Sequence, residues 1–159
     1  MINRIIKGSI LSDYKRRKVI VLLGARQVGK TTLLSELCEG KDRVLSLNCD
    51  NVDDVLALEG KTTTELRQLL SSYELVFIDE AQRVKNVGLT LKMIGDLKLE
   101  TQVVVTGSSS LDMADEINEP ATGRLIEYNL FPFSLPELAL YSSEREENRL
   151  LENRMIYGL

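Results

Sequence analysis

The 159-residue chain contains no histidine. The commonest general base and the commonest nitrogen ligand for metals are both missing, and a Ser-His-Asp triad is excluded. Chemistry must rest on carboxylates and lysine, with any cation held by oxygen. Cysteine is nearly absent too: Cys38 and Cys49 are the only two, far apart and without metal-ligand spacing. Neither a disulfide framework nor a zinc site fits them, and free thiols in a reducing cytoplasm are the default. Positive charge is not in surplus, since 20 Lys and Arg against 24 Asp and Glu leave a net charge of −4. That balance argues against a nucleic-acid surface spread over the domain. Lys15-Arg16-Arg17-Lys18 is the one basic run, and its place just before the first apolar segment reads as a solvated turn. No segment approaches the roughly 18 apolar residues of a membrane span, and the amino terminus lacks the long apolar stretch of a secretory signal. A cytoplasmic protein with no membrane partner is expected.

What is present is an alternation of short apolar runs with helix-period segments, which predicts a parallel sheet covered on both faces. Strands are expected near Val19 to Leu23, Val44 to Asn48, Leu75 to Ile78, Val103 to Thr106 and Leu125 to Leu130. Helices fall between them, at Lys30 to Glu39, Thr63 to Ser72 and Gly88 to Lys98, with a short one within Asp50 to Leu58. Leu111 to Pro120 reads as a loop or short helix. After Pro132 the pattern is helical only, through Leu135, Leu138 and Tyr141 to Leu150, Leu151 and Met155. A chain of this length is one α/β domain, able to bury about 70% of its unfolded surface.

The run Gly24-Ala25-Arg26-Gln27-Val28-Gly29-Lys30-Thr31 matches G-x-x-x-x-G-K-[ST] between an apolar strand and a helix that begins Thr32-Leu33-Leu34. A match of this kind arises by chance in about one chain in two hundred of this length. The spacing suits a string of phosphate oxyanions. Gly24 and Gly29 let the backbone wrap closely, and the N–H groups of Ala25 to Thr32 and the positive helix end favour the anion. Lys30 adds a mobile cation for the β and γ phosphates, and Thr31 a hydroxyl for Mg²⁺. A glycine-rich turn without a ligand is the bland alternative.

Leu75-Val76-Phe77-Ile78 runs into Asp79-Glu80. The carboxyl end of a buried parallel strand faces the ligand crevice, so Asp79 is a candidate to bind Mg²⁺ and Glu80 to orient the attacking water. A solvated acidic turn is the other reading. The run Gln102 to Thr106 ends in Gly107-Ser108-Ser109-Ser110; Ser108, with Thr106 second, is the candidate sensor of the γ-phosphate, against plain turn chemistry. A GTPase would carry D-x-x-G where this chain has Asp79-Glu80-Ala81-Gln82, and an N-K-x-D motif that is absent. A small-molecule kinase is disfavoured because Glu80 beside Asp79 suits water as the nucleophile.

Five segments together carry a family resemblance: Gly24 to Leu34, Phe77 to Gln82, Val105 to Ser109, Thr122-Gly123-Arg124, and Phe131-Pro132-Phe133-Ser134-Leu135-Pro136-Glu137-Leu138. The chain resembles the amino-terminal ATPase domain of the bacterial and archaeal AAA-like ATPases that usually carry a carboxy-terminal domain of unknown function. The resemblance implies a three-layer P-loop fold with sheet order 5-1-4-3-2 and ATP with Mg²⁺ as cofactors. It implies ATP hydrolysis, or alternatively a nucleotide-gated switch that turns over little and recruits a partner. Arg124 would be an arginine finger serving a neighbouring copy in a homo-oligomer, unless it is a structural arginine; Arg26 and Arg83 are weaker candidates. The ATPase core is expected at residues 1–141. Residues 142–159 would be a helical extension toward an absent carboxy-terminal domain, through which an unknown protein or nucleic-acid partner would act.

Overall fold

A computed structural model describes residues 4–108, 123–143 and 145–150. Its five strands are β1 (Val19–Leu23), β2 (Val44–Asn48), β3 (Leu75–Asp79), β4 (Gln102–Gly107) and β5 (Leu125–Asn129). They form one sheet in the order β2-β3-β4-β1-β5, every neighbouring pair parallel. This is the expected 5-1-4-3-2 order seen from the other edge. Because all strands run the same way, their carboxyl ends share one edge of the sheet. Leu23 is level there with Gly107 and Asn129, and Asn48 with Asp79.

Alternate strand residues feed two cores. Val19, Val21, Leu23, Val76, Ile78, Val103 and Val105 face one cluster, and Ile20, Leu22, Leu75, Phe77 and Val104 face the other. Burial on both faces is why these strands read as continuous apolar runs with no polar alternation. The first face is covered by α3 (Val52–Leu58), α4 (Thr63–Leu70) and α5 (Val87–Asp96) through Leu58, Leu66, Leu70, Leu91 and Ile94. The second is covered by α2 (Lys30–Cys38) through Leu33, Leu34 and Leu37, and by Ile10 of α1 (Ile6–Asp13).

Local signals set several helix ends. Thr62 and Glu65 form a reciprocal capping box at the start of α4, and Ser134 and Glu137 form another at α6 (Leu135–Tyr141). Observed boundaries differ from the expected ones by one or two residues, within the fraying of helix and strand ends. Residues 145–150 are helical as well. The segment Leu111 to Pro120 and the positions Ser109, Thr122, Leu151 and Met155 lie outside the described residues.

Helix α1 has no counterpart in the sequence reading. Its sequence Ile6-Lys7-Gly8-Ser9-Ile10-Leu11-Ser12-Asp13 includes a glycine and two serines, with no side-chain cap and no acid in the first turn. Such a segment has low intrinsic helicity, and it is the burial of Ile10 against α2 that holds it. Its end is pinned to β5 where the Tyr128 hydroxyl donates to Asp13 Oδ2 at 2.6 Å. Burial, together with that bond to a carboxylate, pushes the Tyr128 phenol up to about 12. Among the described residues, no helix is long and apolar enough to cross a membrane.

Candidate functional site

The loop that follows β1 is shaped by contacts from both neighbouring strands. Gly24 N–H donates to the Gly107 carbonyl at 3.3 Å, and a Cβ on Gly24 would sit 2.6 Å from the Leu130 carbonyl oxygen. That oxygen is backbone and cannot swing aside. Gly24→Ala is therefore expected to destabilise the chain by about 1–3 kcal/mol, the range for overpacking, as read by a denaturant titration.

Further along, Gln27 (φ 66) and Gly29 (φ 92) both adopt left-handed backbone, flanking half-buried Val28. Gly29 is the N-cap of α2 and supplies no side-chain cap. The N–H groups of the first helical turn are thus left for another acceptor, at the positive end of the helix. Lys30 is buried, and its ammonium donates to the carbonyls of Gly24 at 2.7 Å and Ala25 at 2.9 Å. These take two of its three donors. Ala25, Arg26, Thr31 and Thr32 are exposed, which leaves the Thr31 and Thr32 side chains open to solvent.

At the same edge, Asp79 ends β3. The Thr106 hydroxyl donates to Asp79 Oδ1, and the Glu80 N–H reaches Asp79 Oδ1 at 3.1 Å and Thr106 Oγ1 at 3.3 Å. Strand parity explains the meeting. Thr106 continues the α2-facing side of Val104, and Asp79 continues that of Phe77. Thr106, the second choice for a sensor on sequence, is fully buried against the metal candidate, while Ser108 lies past the end of β4 and is half-buried.

Glu80 holds left-handed backbone (φ 53, ψ 41), which costs a non-glycine residue about 1–2 kcal/mol. Backbone of this kind concentrates at functional sites. The Glu80 carboxylate accepts a 2.5 Å hydrogen bond from Gln82 Nε2. Cys49, just past β2, donates its N–H to the Asp79 carbonyl at 2.9 Å. Burial pushes its thiol up to about 12, helped by the carboxylates of Asp54, Asp79, Asp50 and Glu80. It stays a neutral core group at ordinary pH.

Arg124 is elsewhere. It immediately precedes β5, and its carbonyl accepts from Val19 N–H at 3.1 Å, so it stands at the amino end of the sheet, a strand's length from the loop that follows β1. Its side chain pairs with Asp96, and its Cβ packs against Gly95. Arg83 pairs with Asp50 at 3.3 Å, and Arg26 is exposed.

One participant carried no sequence signal. Arg4 is buried, with Nη1 3.2 Å from Glu137 Oε2 and Nη2 donating to the carbonyls of Val28 at 2.6 Å and Phe131 at 2.7 Å. Glu137 also accepts from the N–H groups of Ile5 and Ser134. Burial pushes the Glu137 carboxyl up, but those N–H groups, the Ser134 hydroxyl and Arg4 outweigh it and hold the group below the usual carboxylate range.

A family model described as "AAA domain" matches residues 16–139. A solved structure described as a DNA replication initiation factor is similar at 17% identity and a TM-score of 0.49. That match covers 95% of this chain and 60% of the other, so the chain spans about 60% of the length of that structure. None of the curated proteins matches.

Proposed function

The chain belongs to the AAA domain family, and from that premise we propose that it binds Mg-ATP and hydrolyses it to ADP and phosphate. The observation that carries this reading is the shared edge. The loop from Gly24 to Thr32 and the Asp79-Glu80-Thr106 cluster lie at the carboxyl ends of the strands, where ligands bind in open parallel sheets.

In this reading the loop N–H groups from Ala25 to Thr32 and the Lys30 ammonium take the phosphates. Thr31 and Asp79 would hold Mg²⁺. An exposed hydroxyl and a strand-end carboxylate are a hard-oxygen set that suits an ion which keeps several waters and phosphate oxygens as ligands. Held there, the metal would supply neutralisation of phosphate charge. Glu80 orients and polarises the attacking water, and Gln82 holds the Glu80 carboxylate. Thr106 orients Asp79, and Ser108 senses the γ-phosphate from the end of β4.

Titration of Mg-ATP into the chain and into its Lys30→Ala variant tests the reading. Loss of a buried charge-assisted contact should weaken binding about 10-fold to 150-fold. Equal affinity would remove the loop from nucleotide binding.

A second reading, a nucleotide-gated switch with little turnover, draws on Lys30 being bonded to its own loop carbonyls and Glu80 to Gln82. Both groups must exchange partners before they can serve catalysis, and that exchange is a place for control. Slow phosphate release that does not rise with protein concentration would favour the switch.

A further inference from the structure

Arg4 lies outside residues 16–139, and none of the nucleotide-site motifs includes it. Yet four partners converge on its guanidinium: the Glu137 carboxylate, the Val28 and Phe131 carbonyls, and the Phe133 ring, whose centroid is 4.1 Å away. Three separate stretches of chain meet there. They are the segment before α1, the phosphate loop, and the stretch from Phe131 to Glu137 that enters α6.

The Val28 carbonyl has a particular place in the loop. A trans peptide is planar, so its carbonyl and the following N–H point in opposite directions. With the Val28 carbonyl held toward Arg4, the Gly29 N–H is turned away from Arg4. A flip of this peptide changes ψ of Val28 and φ of Gly29, and glycine accepts either sign of φ at little cost. The bond from Arg4 selects one of two peptide orientations.

We propose that Arg4 is a positioning residue for nucleotide binding. It fixes the Val28–Gly29 peptide so that the Gly29 N–H faces the phosphates, and Glu137 holds Arg4 in place to do so. Arginine suits the task because its planar fork reaches a carboxylate and two carbonyls at once, which a lysine ammonium on its flexible stem does not. The inference rests on the reading of Gly24 to Thr32 as a phosphate-binding loop. It adds that the loop's geometry depends on a buried ion pair spanning 133 residues of sequence. By linkage, nucleotide binding and the setting of the stretch from Phe131 to Glu137 influence each other equally.

The test uses the 159-residue chain, its Arg4→Lys and Glu137→Gln variants, the double variant, and Lys30→Ala. Three quantities are read: affinity for Mg-ATP, affinity for adenosine, and the Gly29 amide resonance in the nucleotide-free protein. Arg4→Lys should weaken Mg-ATP about 10-fold, inside the roughly 5-fold to 150-fold span of coupled sites. Adenosine, lacking phosphates, should bind unchanged, and the Gly29 amide should shift before any nucleotide is added. Glu137→Gln should move the same readouts in the same direction, and the double variant should lose less than the product of the single losses. If Arg4→Lys fails to fold, Glu137→Gln carries the same expectations for Mg-ATP and the Gly29 amide. If the original chain binds Mg-ATP, Lys30→Ala binds it more weakly, and the folded Arg4 or Glu137 variants keep full affinity with an unmoved Gly29 amide, the inference is overturned alone. If the original chain does not bind Mg-ATP at all, the phosphate-loop reading falls and takes the inference with it.

Discussion

Glu80→Gln should keep Mg-ATP binding near its original strength while phosphate release falls about 10²-fold to 10⁴-fold, the usual contribution of a positioned general base. The substitution preserves shape and removes charge. Glutamine meets the same left-handed backbone at φ 53 as glutamate does, and the N–H bonds to Asp79 and Thr106 belong to the main chain. Folding is therefore little affected, and the change falls on the carboxylate. Calorimetric titration and a phosphate-release assay on the same preparation separate binding from turnover. Release at the original rate would show that Glu80 is not the base.

Arg124→Ala is expected to abolish whatever phosphate release rises with protein concentration, by about 10³-fold or more if the residue completes a neighbour's site. Its place at the amino end of β5 keeps it a strand's length from its own phosphate loop, so service to a second copy is the catalytic role its position allows. The same variant should melt close to the original temperature. Both partners of the Arg124–Asp96 pair are well exposed, at 36% and 48%, and an exposed pair contributes about 0–1 kcal/mol. Activity that is flat with concentration and unchanged in the variant would leave Arg124 a structural partner of Asp96. Sedimentation of both proteins with and without Mg-ATP records whether assembly itself has changed.

The strands and the turn from β1 into α2 were legible because their signals are local. The apolar runs of β1, β3 and β4, buried on both faces, stand out in any window, and the spacing from Gly24 to Thr31 is compact. The strand order was a different matter. Periodicity cannot say that β1 sits between β4 and β5, and the order came from the family resemblance. Helix α1 escaped because Gly8, Ser9 and Ser12 dilute its pattern and its stability comes from Ile10 packing on residues far away in sequence. The meeting of Thr106 with Asp79 depends on the register between β3 and β4. Arg4 and Glu137 were illegible as a pair, since buried arginine is decided by tertiary contacts and these two stand 133 residues apart.

The sheet order also has a bearing on biosynthesis. β1 is made early, but its two lateral neighbours, β4 at Gln102–Gly107 and β5 at Leu125–Asn129, are the last strands to be made. At about 5–20 residues per second, the first strand waits several seconds for both flanking partners, its apolar residues without their final cover. The nascent chain can pair β2 with β3 while it is still being translated. β1 and the loop that follows it gain both flanking strands only when β5 has cleared the ribosome. Folding of this chain is thus gated by its carboxy-terminal third, and a translational pause before Leu125 would prolong the period in which chaperones or proteases find β1 uncovered.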